Sequence, residues 1–214
     1  MSAVVATSLT QRYGSEVALD GVDLALDAGE HLAVLGENGA GKTTLLRILA
    51  TAARPTSGTL EMFGLDALVE RRRLRARIGY VAHAPGLYPA LSAAENLAFF
   101  CTLQGVDRGR VAEVLDLVGL GELASRPAAR LSRGALQRLS IGRAVLHDPK
   151  LLVLDEPDAS LDSGGAELLA RIMGGRTAVI ATHDHALANR LCQRTVELRR
   201  GRVAGVPTRL RVVH

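Results

Sequence analysis

Eight consecutive residues, Gly36-Glu37-Asn38-Gly39-Ala40-Gly41-Lys42-Thr43, fit the spacing G-x-x-x-x-G-K-[ST] at every fixed position. Glycines at this spacing let the backbone curl until successive N–H groups point into one concavity, a nest for an anion. A helix starting at the end of the loop turns the positive end of its dipole toward the same point. The candidates for phosphate contact are Gly36, Asn38, Gly39, Ala40, Gly41, Lys42, Thr43 and Thr44. Lys42 reaches for the β- and γ-phosphates, and the Thr43 hydroxyl for Mg²⁺. Only Lys42 and Lys150 are lysines among 26 basic residues, so a lysine at this position stands out. The implied chemistry is binding of a nucleoside triphosphate.

A second set of residues closes the run Leu151-Leu152-Val153-Leu154-Asp155-Glu156. Two carboxylates beside four aliphatic residues are costly to bury unless a cation or a proton compensates them. Asp155 suits an Mg²⁺ ligand, direct or through water. Glu156 suits the polarisation of a hydrolytic water.

These residues need strands that end at a common edge and a helix behind the loop. Val17–Leu26 alternates as a strand and His31–Leu35 is an apolar run. Thr43–Ala50 has helical spacing, Gly58–Phe63 and Arg77–Val81 read as short strands, and Ser92 with Glu95 forms a capping box ahead of Asn96–Leu103. Gly119 and Gly121 punctuate two further helical stretches, and Gly134–Leu146 is a third. Strand character returns at Leu151–Leu154 and Thr177–Ala181, with a helix near Gly165–Met173 between them. The whole is an α/β core interrupted by helices.

Composition excludes several classes. The 214 residues are 48% hydrophobic and 22% charged, with a formal net charge of +4, which suits an ordinary globular chain. No run approaches the roughly 18 to 20 apolar residues of a membrane span. The N-terminus lacks the basic and apolar regions of a secretory signal. Cys101 and Cys192 are far apart in sequence, which excludes a disulfide scaffold and a thiolate metal site. Both read as small apolar core residues. The dense basic cluster Arg71, Arg72, Arg73, Arg75 and Arg77 contains no aromatic residue to stack a base and reads as a solvated helix face. Phe99 and Phe100 read as core packing.

Leu131-Ser132-Arg133-Gly134-Ala135-Leu136-Gln137-Arg138 is similar to the LSGGQxQR signature, and with it almost the whole chain resembles the nucleotide-binding domain of an ATP-binding cassette (ABC) transporter. The resemblance implies a P-loop NTPase core with an inserted helical subdomain and an N-terminal antiparallel β-region, one domain over 1–214, with the core at about 1–82 and 147–214 and the helices at about 83–146. It implies ATP and Mg²⁺ as ligands. It also implies a pair of cassettes in the ATP state, the signature of one covering the γ-phosphate held by the other. Ser132 and Gly134 carry that contact, while Arg133 and Ala135 depart from the pattern.

The remaining assignments follow the same resemblance. Tyr13 sits where an aromatic ring stacks on adenine, Asp162 in the loop that touches the opposite subunit, and His183 where a switch histidine contacts the γ-phosphate and orients water. With Glu156 and Lys42, His183 completes the implied catalytic set. His83 stands where the family places a glutamine that links Mg²⁺ and water to the membrane partner, and joins Thr43 and Asp155 as a metal-contacting candidate.

The implied role is the ATP-hydrolysing subunit of an export complex, peripheral on the cytoplasmic face of the cell membrane and docked on integral membrane subunits. A short cassette with His83-Ala84-Pro85-Gly86 looks most like the haem-export ATPase of cytochrome c biogenesis. An ABC-2-type exporter of drugs, lipids or polysaccharide shares every nucleotide motif and remains open. A non-transport ABC ATPase on nucleic acid is the remote alternative, and no nucleic-acid partner is expected.

Overall fold

The five-residue stretches 31–35, 151–155 and 177–181 are almost continuously buried, the pattern of strands inside a parallel sheet covered on both faces. In the computed structural model, which describes residues 2–158, 161 and 164–209, they are three adjacent-ranked strands of one sheet. In chain order the strands are β1 (Ser2–Tyr13), β2 (Glu16–Asp27), β3 (His31–Leu35), β4 (Ser57–Met62), β5 (Leu65–Asp66), β6 (Ile78–Val81), β7 (Leu151–Asp155), β8 (Thr177–Ala181), β9 (Arg194–Arg199) and β10 (Arg202–Arg209). The helices are α1 (Lys42–Leu49), α2 (Arg71–Arg75), α3 (Ala93–Gln104), α4 (Arg110–Leu117), α5 (Arg133–Val145), α6 (Gly165–Met173) and α7 (His185–Leu191).

The larger sheet runs β10-β9-β3-β8-β7-β6, parallel from β9 to β6, with β10 antiparallel at one edge. Alternate side chains of each central strand enter two different cores. Ala33, Leu35, Leu152, Leu154, Ala178 and Ile180 meet α3 to α7 on one face. Leu32, Val34, Leu151, Val153, Val179 and Ala181 meet α1 and the second sheet on the other. That sheet, ordered β2-β1-β4-β5, is antiparallel and lays Leu9, Leu19, Leu24, Leu26, Leu60 and Met62 over α1.

Helices α3, α4 and α5 lie in the chain between β6 and β7. Ser92 caps α3 in a reciprocal box: the Glu95 N–H donates to Ser92 Oγ at 3.2 Å and the Ser92 N–H to Glu95 Oε2 at 2.8 Å. Hydrogen bonding from the Ser92 N–H, and then from its side chain, holds the Glu95 carboxyl below the usual range. Cys101 and Cys192 are free and buried. Among the described residues no helix is long and apolar enough to cross a membrane.

Four elements differ from the sequence reading. Strand β1 carries no clean alternation because its ladder with β2 slips register at several points, including Ala6/Leu9. The stretch after Gly121 is a single turn, Gly121–Leu123, rather than a helix. Phe99 is not core: it is 41% exposed and stacks edge-on with Tyr88, ring centroids 4.8 Å apart. Phe100 is partly buried and lies under the Arg143 guanidinium, 5.2 Å from its ring centroid. The basic cluster is also not uniformly solvated, since Arg71 and Arg75 both donate to the Thr51 carbonyl and Leu74 is buried.

Candidate functional site

The register of the large sheet brings the candidate residues together. Val34 on β3 pairs with Ala181 on β8, and Ala181 also pairs with Asp155 on β7. The chain therefore leaves all three strands at one edge, the carboxyl end where ligands bind in open α/β sheets. From β3 it enters the phosphate loop, from β7 it continues into Glu156, and from β8 into Thr182 and His183.

The loop is shaped by close approach to its neighbours. Gly41 caps α1 at φ 105°, ψ 2°, and a Cβ there would lie 2.5 Å from the Ala18 carbonyl oxygen of β2. Only glycine takes this place without displacing β2. Helix α1 begins at once, with Lys42 94% buried. The Lys42 ammonium donates to the Gly36 carbonyl at 2.6 Å and the Glu37 carbonyl at 3.1 Å, folded back across the loop.

Asp155 lies at the end of a fully buried strand and is itself 2% exposed. Its Oδ1 accepts a hydrogen bond from the Thr43 hydroxyl at 3.2 Å, and its Oδ2 is buried with no partner. Burial pushes the Asp155 carboxyl above its ordinary range, against the Thr43 hydrogen bond. An orphaned carboxylate oxygen beside a hydroxyl suits a hard cation with oxygen ligands. Among the described residues no cluster of three or more His, Cys, Asp or Glu forms a self-sufficient metal site. Mg²⁺ is usually held by one or two protein groups together with substrate phosphates and water.

Glu156 follows at φ 48°, in the left-handed region, with its N–H donating to the Ala181 carbonyl at 2.9 Å. Its Oε1 lies 4.0 Å from His183 Nδ1, and the His183 ring is 71% exposed. His183 is set by its neighbours in sequence. The buried Thr182 hydroxyl accepts from the Asp184 N–H at 3.0 Å and donates to Asp158 Oδ2 at 3.3 Å. Asp184 then caps α7 by accepting from Ala186 and Leu187 N–H groups.

A cleft of about 250 Å³ opens over the loop and reaches Glu156; it is lined by Tyr13, Glu16, Ala18, the loop from Glu37 to Thr44, and Glu156. Tyr13 stands 48% exposed at the tip of the β1–β2 hairpin. Glu156 also walls a second cleft of about 190 Å³, shared with Asp155, His83, Pro85, Arg133, Leu136 and Gln137. His83 is exposed there.

Ser132 and Gly134 do not line the loop cleft of their own chain. Ser132 caps α5 by accepting from the Ala135 N–H at 3.2 Å, which leaves its own O–H free to donate. Asp162 lies outside the described residues.

Glu16, Ala18 and Asn96 are additions that sequence reasoning missed. Glu16 and Ala18 carry no local signal, since only the hairpin brings them over the loop. Asn96 is fully buried and holds the segment presenting Tyr88: its Nδ2 donates to the Tyr88, Leu91 and Ser92 carbonyls, and its Oδ1 accepts from Tyr88 N–H.

Known proteins share this arrangement. The ABC transporter family model matches residues 19–159. The chain is 38% identical over 175 residues to the bacitracin transport ATP-binding protein BcrA of Bacillus licheniformis, covering 81% of this chain and 57% of that protein's length. It is 40% identical over 201 residues to the lipoprotein-releasing system ATP-binding protein LolD 1 of Caulobacter vibrioides, covering 86% of each. An ATP-binding cassette solved as a dimer in a post-hydrolysis state bound to ADP and Pi has a TM-score of 0.89 at 29% identity, over 98% of this chain and 100% of that one. One continuous match thus spans the phosphate loop, the signature helix and the acidic strand end, and the chain belongs to the ABC transporter family.

Proposed function

We propose that the chain is the ATP-hydrolysing subunit of an ABC export complex. The observation that carries this reading is the convergence of Lys42, Thr43 and Glu156 on one cleft that opens toward Tyr13, with Asp155 hydrogen-bonded to Thr43 behind it. ATP enters with its adenine on the Tyr13 ring and its phosphates on the loop N–H groups from Gly36 to Thr44. Lys42 exchanges its two carbonyl contacts for phosphate oxygens. Thr43 and Asp155 would hold Mg²⁺, with His83 near its water, and the ion supplies charge neutralisation at the phosphates. Glu156 orients the attacking water and draws off its proton, and His183 orients the water beside it.

Ser132 and Gly134 of a second copy close the cleft, because one chain keeps them away from its own loop. The pair is a C2 sandwich with isologous contacts. The complex sits on the cytoplasmic face of the cell membrane, docked on integral membrane subunits. Two experiments test this. Lys42→Ala should abolish hydrolysis. Glu156→Gln should run as a dimer with ATP in light-scattering chromatography, and a Glu156→Gln protein that stays monomeric overturns the sandwich.

In its finer form the proposal is haem export for c-type cytochrome maturation, supported by His83-Ala84-Pro85-Gly86. A deletion strain complemented with wild type or Lys42→Ala, scored by haem-stained c-type cytochromes, tests it. Cytochromes that persist without the gene refute it. They would favour the second reading, an ABC-2-type exporter, which the similarity to the bacitracin transport protein supports.

A further inference from the structure

The segment that carries Glu156 is held from behind by the signature helix. Pro157, the next residue, is buried, and its carbonyl accepts a hydrogen bond of 3.1 Å from Gln137 Nε2 on α5. Gln137 is 9% exposed and shares its helix face with Ile141, Ala144 and Val145, all buried. An amide on such a face costs more than a methionine or leucine of similar size unless it is hydrogen-bonded, which ties Gln137 to the Pro157 carbonyl.

The covalent geometry between the two residues is stiff. The proline ring fixes φ of Pro157, so only ψ of Pro157 and ψ of Glu156 are free between the held carbonyl and the Glu156 Cα. On its other side Glu156 is pinned to β8 through the Ala181 carbonyl, at a φ of 48° that a non-glycine residue occupies only under constraint. Gln137 lies about one helical turn beyond Ser132 and Gly134, and it faces Glu156 across the second cleft. A displacement of the start of α5 therefore moves the Pro157 carbonyl and turns the Glu156 carboxylate.

We infer that Gln137 is a positioning residue for hydrolysis, its buried amide coupling the signature helix to the orientation of Glu156 in the same chain. The inference rests on the reading of Glu156 as the group that orients water.

The test uses the full chain and ATP, with Gln137→Glu, which keeps the shape and replaces the donor by a repelling acceptor, and Gln137→Met, which keeps the volume without a donor. Each is made in the wild-type and the Glu156→Gln background. If the wild-type chain hydrolyses no ATP, the ATPase reading itself fails, separately from this one. With hydrolysis present, kcat should fall about tenfold in each single variant, the scale of a small misplacement of a reacting group. Affinity for a fluorescent trinitrophenyl derivative of ATP should stay within about twofold of wild type. In the Glu156→Gln background the residual single-turnover rate should change by less than about twofold, since the coupling has lost its target. An equal tenfold loss in both backgrounds, or an unchanged kcat in the wild-type background, overturns the inference. Gln137→Met carries the same comparison should Gln137→Glu fail to fold.

Discussion

Replacing Gly41 by alanine isolates a single close approach, because Gly39 in the same loop provides a matched control. An alanine Cβ at 41 meets the Ala18 carbonyl oxygen at 2.5 Å and Leu19 Cδ2 at 3.0 Å, whereas ordinary contacts begin at 3.4 Å. Strand β2 must retreat by close to an ångström, and its Leu19 is fully buried in the core over α1. Overpacking of this kind costs about 1–3 kcal/mol. The left-handed φ adds about 1–3 kcal/mol for a residue with a Cβ. Gly39, at φ 80° with nothing within 4 Å of its Cβ position, incurs only the second cost. The difference, about 2 kcal/mol, corresponds to about 4–8 °C in Tm for a chain of this length. Calorimetry without nucleotide should therefore rank wild type above Gly39→Ala and Gly39→Ala clearly above Gly41→Ala. If the two variants melt together, or in the reverse order, the steric account of the loop is wrong.

Other perturbations read separate parts of the structure. His147 donates through Nε2 to the Ile78 carbonyl at 3.1 Å, its Nδ1 is buried without a partner, and burial lowers its pKa below 6.5. The unfolded chain thus takes up this proton first, so the stability His147 contributes is present above pH 6.5 and is lost as pH falls below it. Urea midpoints at pH 8 and pH 5.5 should differ less in His147→Gln than in wild type, and an equal difference in both proteins counts against the assignment. Tyr13→Ala should weaken ATP binding by about tenfold, the lower range of a base–aromatic stack, without moving Tm; unchanged binding removes Tyr13 from the site. Thr43→Ala removes the hydroxyl on Asp155, and the Mg²⁺ concentration for half-maximal hydrolysis should rise by about tenfold or more. An unaltered Mg²⁺ titration would dissociate Thr43 from the metal.

The residues proposed to do chemistry were legible because their requirements are local. A phosphate nest needs consecutive backbone N–H groups with glycines between them, so Gly36 to Thr43 is readable as a string. An acidic pair ending an apolar strand is equally local, as is the capping box of Ser92 and Glu95. Relations across the chain were not legible. That β8 lies between β3 and β7, placing His183 4.0 Å from Glu156, depends on non-local strand pairing. Tyr13, Glu16 and Ala18 reach the loop only because an irregular hairpin folds over it, and its register slips erased the period-two signal. Phe99 read as core because apolar type reports burial only on average, while the buried amide of Asn96 holds the Tyr88 segment against it. Gln137 carried a faint signal, a polar residue beside the apolar Ile141, Ala144 and Val145 of its helix, yet its partner is a main-chain carbonyl, and a carbonyl has no residue type to read. The sequence by itself therefore pointed to a ligand chemistry, phosphate and a divalent cation, and to the carboxylates proposed to serve it. Tertiary structure alone decided which groups share a cleft and that Ser132 and Gly134 do not line the cleft of their own loop, because those are set by sheet order and packing between segments distant in the chain.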